Sequence, residues 1–272
     1  MKLEILMSCM HQNDDTLVRN SRITTDAVVI NQCDRNGYAE YSTAAGVARV
    51  FDTTQRGLTR SRNYAIREAR ADICLLCDDD EVFVDGYEDK VLRAYEELPQ
   101  ADVIIFKMIN QPASFPDKVM ELKFPQTAHV SSWQISFRRQ RLLEKQVAFD
   151  ELLGAGTENG AEEELKFMLD CQRAGLRIFY VPVEIATVAQ QESTWFEGFN
   201  KEFFYNRGAT TRYILGLPLA TLYGVYYVAR KQKLYRKYCT PAQAMGAIFR
   251  GMKDNKITKQ ANARRKAGER EE

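Results

Sequence analysis

The chain has 272 residues and a mass of 31.3 kDa, 45% hydrophobic and 28% charged, enough for one large core or a domain with an appendage, which excludes a disordered protein. Lys and Arg (38) almost balance Asp and Glu (37), for a net charge of +1; nothing global points to nucleic acid, and electrostatic function must come from local patches. Two histidines exclude a histidine-rich metal site, and six cysteines with a single C-x-x-C exclude a four-cysteine zinc site.

Leu3 to Met10 reads as a first strand. Glu4 interrupts its apolar run, so the amino terminus does not read as a signal peptide. A short helix is expected near Leu17–Ser21. A second strand follows at 27–30, then a polar turn from Asn31 to Gly37. A short strand at Ala48–Asp52 precedes a helix from Leu58 to about Ala69, which buries Ile66 and its apolar neighbours. The next apolar run, Ile73-Cys74-Leu75-Leu76-Cys77, suits a strand buried on both faces. Its thiols read as buried cysteines of a reducing compartment. The run stops at Asp78-Asp79-Asp80-Glu81, which places the acids at the carboxyl end of a strand, where open α/β sheets hold their ligands.

A helix at 87–98 is ended by Pro99, and Val103–Met108 is again a strand. Prolines 112, 116 and 125 mark an irregular excursion, after which Val130–Arg138 reads as a strand carrying Trp133. Leu142 and Leu143 belong to a short helix. A glycine-rich loop with Gly154 and Gly156 leads to a helix opened by Glu162-Glu163-Glu164. Arg177–Val181 reads as a strand stopped by Pro182. Alternating strands and helices predict an α/β fold with a mostly parallel sheet and a carboxyl-terminal helical appendage.

From Trp195 the composition changes. Phe196, Phe199, Phe203, Phe204 and Tyr205 give an aromatic helix face. Tyr213 to Ala229 lacks formal charge. As a helix this stretch is about 25 Å long, short of the roughly 30 Å of a bilayer core. The basic run Arg230 to Tyr238 follows. Residues 213–238 therefore read either as a helix lying on an anionic membrane surface or as a core helix with a basic exit. The mixed-charge end, 253–272, reads as a fraying tail.

Three adjacent carboxylates repel one another, and a divalent cation such as Mg²⁺ or Mn²⁺ relieves that cost; the alternative is a solvated acidic turn. Arg56, Arg60 and Arg62 precede the acids and suit phosphate oxygens through forked hydrogen bonds. Asp34 either accepts from a base or ribose hydroxyl or, as each of these arginines also could, simply faces solvent. A carboxylate among Glu162–Glu164 either compensates the helix dipole or takes a proton from a hydroxyl. Trp133 is a sugar-stacking or a core residue.

These motifs together resemble the family 2-like glycosyltransferases of the GT-A fold, especially bacterial enzymes of capsular or extracellular polysaccharide biosynthesis. Gly57-Leu58-Thr59-Arg60-Ser61-Arg62-Asn63 is similar to the G-L-x-x-[AS]-R-N segment, and the strand ending in Asp78-Asp79-Asp80 to the D-x-D strand. Phe149-Asp150-Glu151 with Gly154 and Gly156 is similar to the acceptor-side stretch. Glu163-Glu164 match the acidic pair, and Glu162 stands where the family has glycine. Ser193-Thr194-Trp195 resembles the S-S-W segment. The histidine many relatives carry after the following strand is absent, with Ala186-Thr187-Val188-Ala189 there instead.

The resemblance implies a metal-dependent inverting glycosyltransferase that moves a sugar from a nucleotide-diphosphate donor, UDP-linked, to a glycan or lipid-linked glycan hydroxyl. It implies Asp78 and Asp80 as Mn²⁺ or Mg²⁺ ligands, with Gln32, Asp34, Arg60, Arg62 and Asp79 toward the donor. Glu164, with Glu163 beside it, would be the base, and Trp133, Asp150, Gly154 and Gly156 would face the acceptor. Residues 1–205 would form the catalytic domain, with 1–108 binding the donor and 109–205 the acceptor. Residues 206–252 would form a helical region, membrane-associated or packed in the core, and the protein is expected in the cytoplasm, peripheral at the inner face of a bacterial membrane, as a monomer or an oligomer. Two other readings stay open: an inactive scaffold of a polysaccharide assembly complex, and a sugar nucleotidyltransferase. The second lacks the expected glycine- and basic-rich loop after the first strand.

Overall fold

The computed structural model describes residues 1–112, 114–189 and 198–268. The segment Ser193-Thr194-Trp195 therefore lies outside the described residues. In chain order come β1 (Leu3–Met10), α1 (Thr16–Asn20), β2 (Asp26–Gln32), β3 (Gly37–Ser42), β4 (Val47–Thr53), α2 (Leu58–Glu68) and β5 (Ile73–Cys77). Then follow β6 (Glu81–Phe83), α3 (Tyr87–Glu97), β7 (Val103–Met108), β8 (Met120–Leu122), β9 (Ile135–Arg138), α4 (Arg139–Glu144), α5 (Glu163–Arg173) and β10 (Ile178–Val188). Helices α6 (Lys201–Arg230), α7 (Gln232–Tyr235), α8 (Pro241–Asp254) and α9 (Lys256–Gly268) complete the order. Two compact units emerge. One holds Met1–Phe149 and the chain from Glu164 through β10; the other holds Asp150–Glu163 and α6 to α9.

The first unit is built on one sheet of order β3-β4-β2-β1-β5-β9-β7-β10-β6, with β8 pairing β10. Strands β4, β2, β1 and β5 run parallel, as does β7 with β10. The sheet is nevertheless mixed rather than mostly parallel. Strand β9 enters antiparallel between β5 and β7, while β3, β6 and β8 pair antiparallel with their neighbours. The cause lies in the connections: β3 and β4 are joined by a short turn, which permits only antiparallel pairing, and β9 is reached from β7 without a crossover helix.

Period-2 alternation distributes the central strands between two cores. Ile5, Met7, Leu75 and Cys77 face one, with Tyr87, Val91 and Tyr95 of α3. Leu6, Cys74 and Leu76 face the other, with Ala65 and Ile66 of α2 and Phe167 and Met168 of α5. All five residues of β5 are buried. At the opposite end from the acids, buried Glu4 pairs with buried Arg49 at 2.8 Å and accepts from the amides of Arg70 and Ala71 at 2.6 and 3.2 Å. This fixes the turn that feeds β5.

Four expectations change. β3 occupies a segment in which the sequence shows no strand pattern; its side chains are exposed or half-buried, so no buried face marks it. Val130–Arg138 is a 3₁₀ turn at Ser132–Gln134 followed by the shorter β9; a capping box between Ser131 and Gln134 holds the turn. β10 runs through Pro182 to Val188 because the register shifts between Val181 and Glu184, and a bulge there spares proline a ladder bond it cannot donate. The expected tail is helical over Lys256–Gly268, anchored by fully buried Ile257 after Asn255 turns the chain at φ 48°.

In the second unit α6 and α8 pack through glycines. A Cβ on Gly208 would lie 2.1 Å from the Ile248 carbonyl oxygen, and one on Gly251 would lie 2.0 Å from that of Tyr205. Their core gathers Phe204, Tyr227, Val228, Tyr235, Ala244 and Ile248. Gly216, at φ 75° and ψ 167°, breaks α6, and Pro218 opens its second half without losing a needed N–H. Among the described residues no helix is long and apolar enough to cross a membrane.

Candidate functional site

Arg62 is the centre of the arrangement in the first unit. It sits on α2, whose preceding Gly57 takes φ 118°, a backbone open to glycine. The Gln32 side-chain oxygen accepts the Gly57 amide at 2.7 Å, so the end of β2 fixes the start of this helix. The Arg62 side chain is only 2% exposed. One terminal nitrogen donates to Asp78 at 3.0 Å and the other to Glu164 at 3.3 Å. Its guanidinium lies 5.4 Å from the Phe149 ring centroid. Asn63 beside it exchanges hydrogen bonds with the Phe149 backbone at 2.8 and 2.9 Å, which holds that ring in place.

Asp78 follows β5 directly. Its second oxygen accepts from the Ser132 hydroxyl at 2.6 Å. Burial, then the Asp78 charge, raises the Asp79 carboxyl, and Asp80 is raised by burial and by both neighbours. The Asp80 carbonyl accepts the Ala189 amide at 2.8 Å, tying the acid run to the end of β10. Glu81 is 1% exposed, and neither carboxylate oxygen has a hydrogen-bond partner among the described residues. Burial pushes its carboxyl well above the ordinary range, and Asp78 adds to the shift. Among the described residues no three His, Cys, Asp or Glu side chains converge as a ready-made metal cage.

Glu164 stands in the first turn of α5, with Glu163 buried before it. Burial raises the Glu164 carboxyl above its ordinary value, the Arg62 charge opposes this, and Asp78 adds to it. Glu162 takes φ 71°, the left-handed conformation that favours glycine. In the second unit its carboxylate pairs with Arg207 at 2.8 Å. Arg207 also donates to the Tyr223 hydroxyl at 2.7 Å and lies over the Phe203 and Tyr227 rings.

The remaining residues proposed from sequence fall in four places. Gln32 and Arg60 line one shallow cleft with Thr53, Gln55, Ser61 and Tyr64. Asp34 is exposed and paired with Arg56 at 2.6 Å, so Arg56, from the segment before α2, is engaged by the loop after β2, where it also donates to the Cys33 carbonyl. Trp133 is half-buried and packs against the core shared with α3. Asp150, Gly154 and Gly156 belong to the second unit. There Asp150 accepts from the Tyr213 hydroxyl at 2.6 Å, and the two glycines take φ 96° and 82°.

Four features escaped the sequence reading. Ser132 comes from an irregular stretch with no periodic signal. Phe149 reads from sequence as part of the acceptor-side stretch, and spacing does not show its ring beside Arg62. Glu81 is the fourth acid of a run in which three were singled out. Buried Asn31 donates to Asp52 at 2.6 Å and exchanges bonds with the Gln12 backbone at 2.7 and 2.9 Å. Arg35 caps the other Asp52 oxygen. A polar residue ending each of β2 and β4 was the available sign.

A mixed sheet with this strand order, an acid run leaving its central strand and an arginine-bearing helix beside it define a GT-A glycosyltransferase domain. The family described as "Glycosyl transferase family 2" matches residues 15–156, more than half of the chain, and the chain belongs to that family. Crystal structures of S. aureus TarS 1-349 share the fold. The complex with UDP-GlcNAc superposes with a TM-score of 0.58 at 16% identity, covering 88% of this chain and 74% of that one. The complex with UDP also gives 0.58, at 14% identity, covering 92% and 81%. A Haemophilus influenzae protein described as an uncharacterized glycosyltransferase is 23% identical over 112 residues. That match spans 39% of this chain and 38% of the relative's length.

Proposed function

We propose that the protein is a metal-dependent, inverting glycosyltransferase that moves a sugar from a UDP-linked donor to a hydroxyl of a glycan or lipid-linked glycan in polysaccharide assembly. The observation that carries this reading is Arg62, buried and held between Asp78 and Glu164. A buried guanidinium that joins two carboxylates fixes the proposed metal ligand and the proposed base relative to each other, which supports reading them as one site. The S. aureus TarS 1-349 structures are complexes with UDP-GlcNAc and with UDP, which supports a UDP-linked donor.

The residues present fit a hard divalent cation. Burial first and neighbouring carboxylates second raise Asp79, Asp80 and Glu81, so their ionised forms lack a counter-charge, and carboxylate oxygens suit Mg²⁺ or Mn²⁺. Asp78 and Asp80 would hold the ion, which when bound supplies charge to neutralise a leaving diphosphate. Gln32, Asp34, Arg60 and Asp79 would bind the donor. Asp150, Gly154, Gly156 and Trp133 would bind the acceptor.

In the reaction, Glu164 accepts the acceptor hydroxyl proton as that oxygen forms a bond to the anomeric carbon. The bond from that carbon to the diphosphate oxygen breaks, and its electron pair leaves with the diphosphate. Arg62 donates hydrogen bonds to the oxygens gaining charge. A single displacement inverts the anomeric centre. Glu163 supports the start of α5, which carries the base.

A screen of nucleotide-sugars with and without Mn²⁺ tests the reading. Metal-dependent donor turnover is expected, abolished by Asp80→Ala and reduced about 100-fold or more by Glu164→Gln. Donor binding that ignores both EDTA and Asp80→Ala would remove the metal role.

A further inference from the structure

The second unit exposes an apolar face that none of its described residues covers. After the break at Gly216, Pro218, Leu219, Leu222, Val225, Tyr226 and Ala229 fall within roughly 120° of arc at about 100° per residue. Leu222 is 67% exposed and Tyr226 58%, with Leu219 and Val225 close to half exposed. The opposite arc, Ala220, Gly224, Tyr227 and Val228, is buried, and Gly224 lies close to Ile248 and Met252 of α8. The half-helix is thus apolar on both sides, which a helix facing water is not.

What covers the outer side is indicated by charge. No Asp or Glu occurs between Glu202 and Asp254, whereas Arg230, Lys231, Lys233, Arg236 and Lys237 follow the face directly. Lys231, Lys233 and Leu234 are exposed, while Tyr235 is buried and donates to the Val228 carbonyl at 2.6 Å, fixing the basic segment to the end of α6. An apolar strip with an adjoining basic cluster and no acid is complementary to a bilayer rich in anionic phospholipid.

We infer that Leu219, Leu222, Val225 and Tyr226 insert into the headgroup–acyl boundary of an anionic phospholipid bilayer while Arg230, Lys231 and Lys233 meet its phosphates. The half-helix lies in the surface plane and does not cross it. This inference does not depend on the donor reading, and its test contains no nucleotide-sugar.

The full chain is floated with vesicles of phosphatidylcholine and phosphatidylglycerol, and with phosphatidylcholine alone. Flotation is expected with the anionic vesicles and is expected to weaken in high salt. Leu222→Glu with Val225→Glu, and separately Lys231→Glu with Lys233→Glu, are each expected to reduce binding at least about tenfold. All four side chains are exposed, so unchanged circular dichroism and melting are expected of both variants.

A second readout uses an environment-sensitive fluorophore on Leu222→Cys, selective because all six native cysteines are buried. A blue shift with anionic vesicles is expected at position 222 and none at Val47→Cys, another exposed apolar site. Equal flotation of parent and variants, no flotation of the parent, or no shift at 222 overturns the inference. So does a dimer in solution that Leu222→Glu dissociates, which would make a second copy the occupant.

Discussion

Arg62 serves two carboxylates from a buried position, and its fork geometry is what allows it. Lysine keeps the charge but offers a point donor that cannot reach Asp78 and Glu164 together. Arg62→Lys is expected to lower kcat/KM about 100-fold, about 2.7 kcal/mol of lost transition-state stabilisation, measured by steady-state kinetics with melting as a fold control. Glu164 supplies a pH test. A base must be ionised to act, and burial holds this carboxyl above the ordinary glutamate value of 4.5. Activity is therefore lost as pH falls through a point above 4.5, and this acid limb should vanish in Glu164→Gln. A limb at or below 4.5 in the parent would contradict Glu164 as the base. At this scale the sequence is most legible where motif spacing carries the information, as for Arg62, Asp78 and Glu164. It is silent on Ser132, because an irregular turn places a hydroxyl without periodicity.

Elements were legible wherever burial is periodic. β1, β5, α2 and α3 alternate or repeat apolar residues against two cores, and their bounds follow from that. β3 was not legible because an edge strand with no buried face has no pattern to read. Pro182 misled for a local reason: proline forbids a ladder bond, yet a bulge removes the need for one. The α6–α8 pair depends on two glycines whose role is close approach, which no hydrophobic pattern reveals. Gly208→Ala would put its Cβ against the Ile248 carbonyl and force the helices apart. A loss of about 3 kcal/mol is expected by denaturant titration. Gly246→Ala on α8, where an added Cβ meets nothing within 4 Å, should be neutral or slightly stabilising.

For the molecule as a whole, ligand linkage gives the plainest test. Under the proposed function, UDP with Mn²⁺ at about 100 times its dissociation constant is expected to stabilise the native state by about 2.7 kcal/mol. In a chain of this size that raises Tm by about 5 °C or more. The metal-dependent part of the rise should disappear in Asp80→Ala and persist in Gly246→Ala, as read by calorimetry. Order along the chain suggests a division into successive segments, whereas contacts group residues 150–163 with the carboxyl-terminal helices. Asp150 to Tyr213 and Glu162 to Arg207 are pairings between distant parts of the sequence, and spacing does not encode them.

The last of these pairs bears on descent. Glycine at position 162 would adopt φ 71° freely and need no partner, whereas glutamate there requires one to offset its strain. Arg207 is itself largely buried, and its Nε has no hydrogen-bond partner among the described residues, so glycine opposite it would leave a buried guanidinium without a carboxylate. Neither replacement is free on its own, and the two positions should change together. Among related sequences an acid at position 162 should accompany an arginine at 207, and glycine at 162 a neutral residue there. Lineages in which either charge commonly stands alone would show that the pair is not coupled.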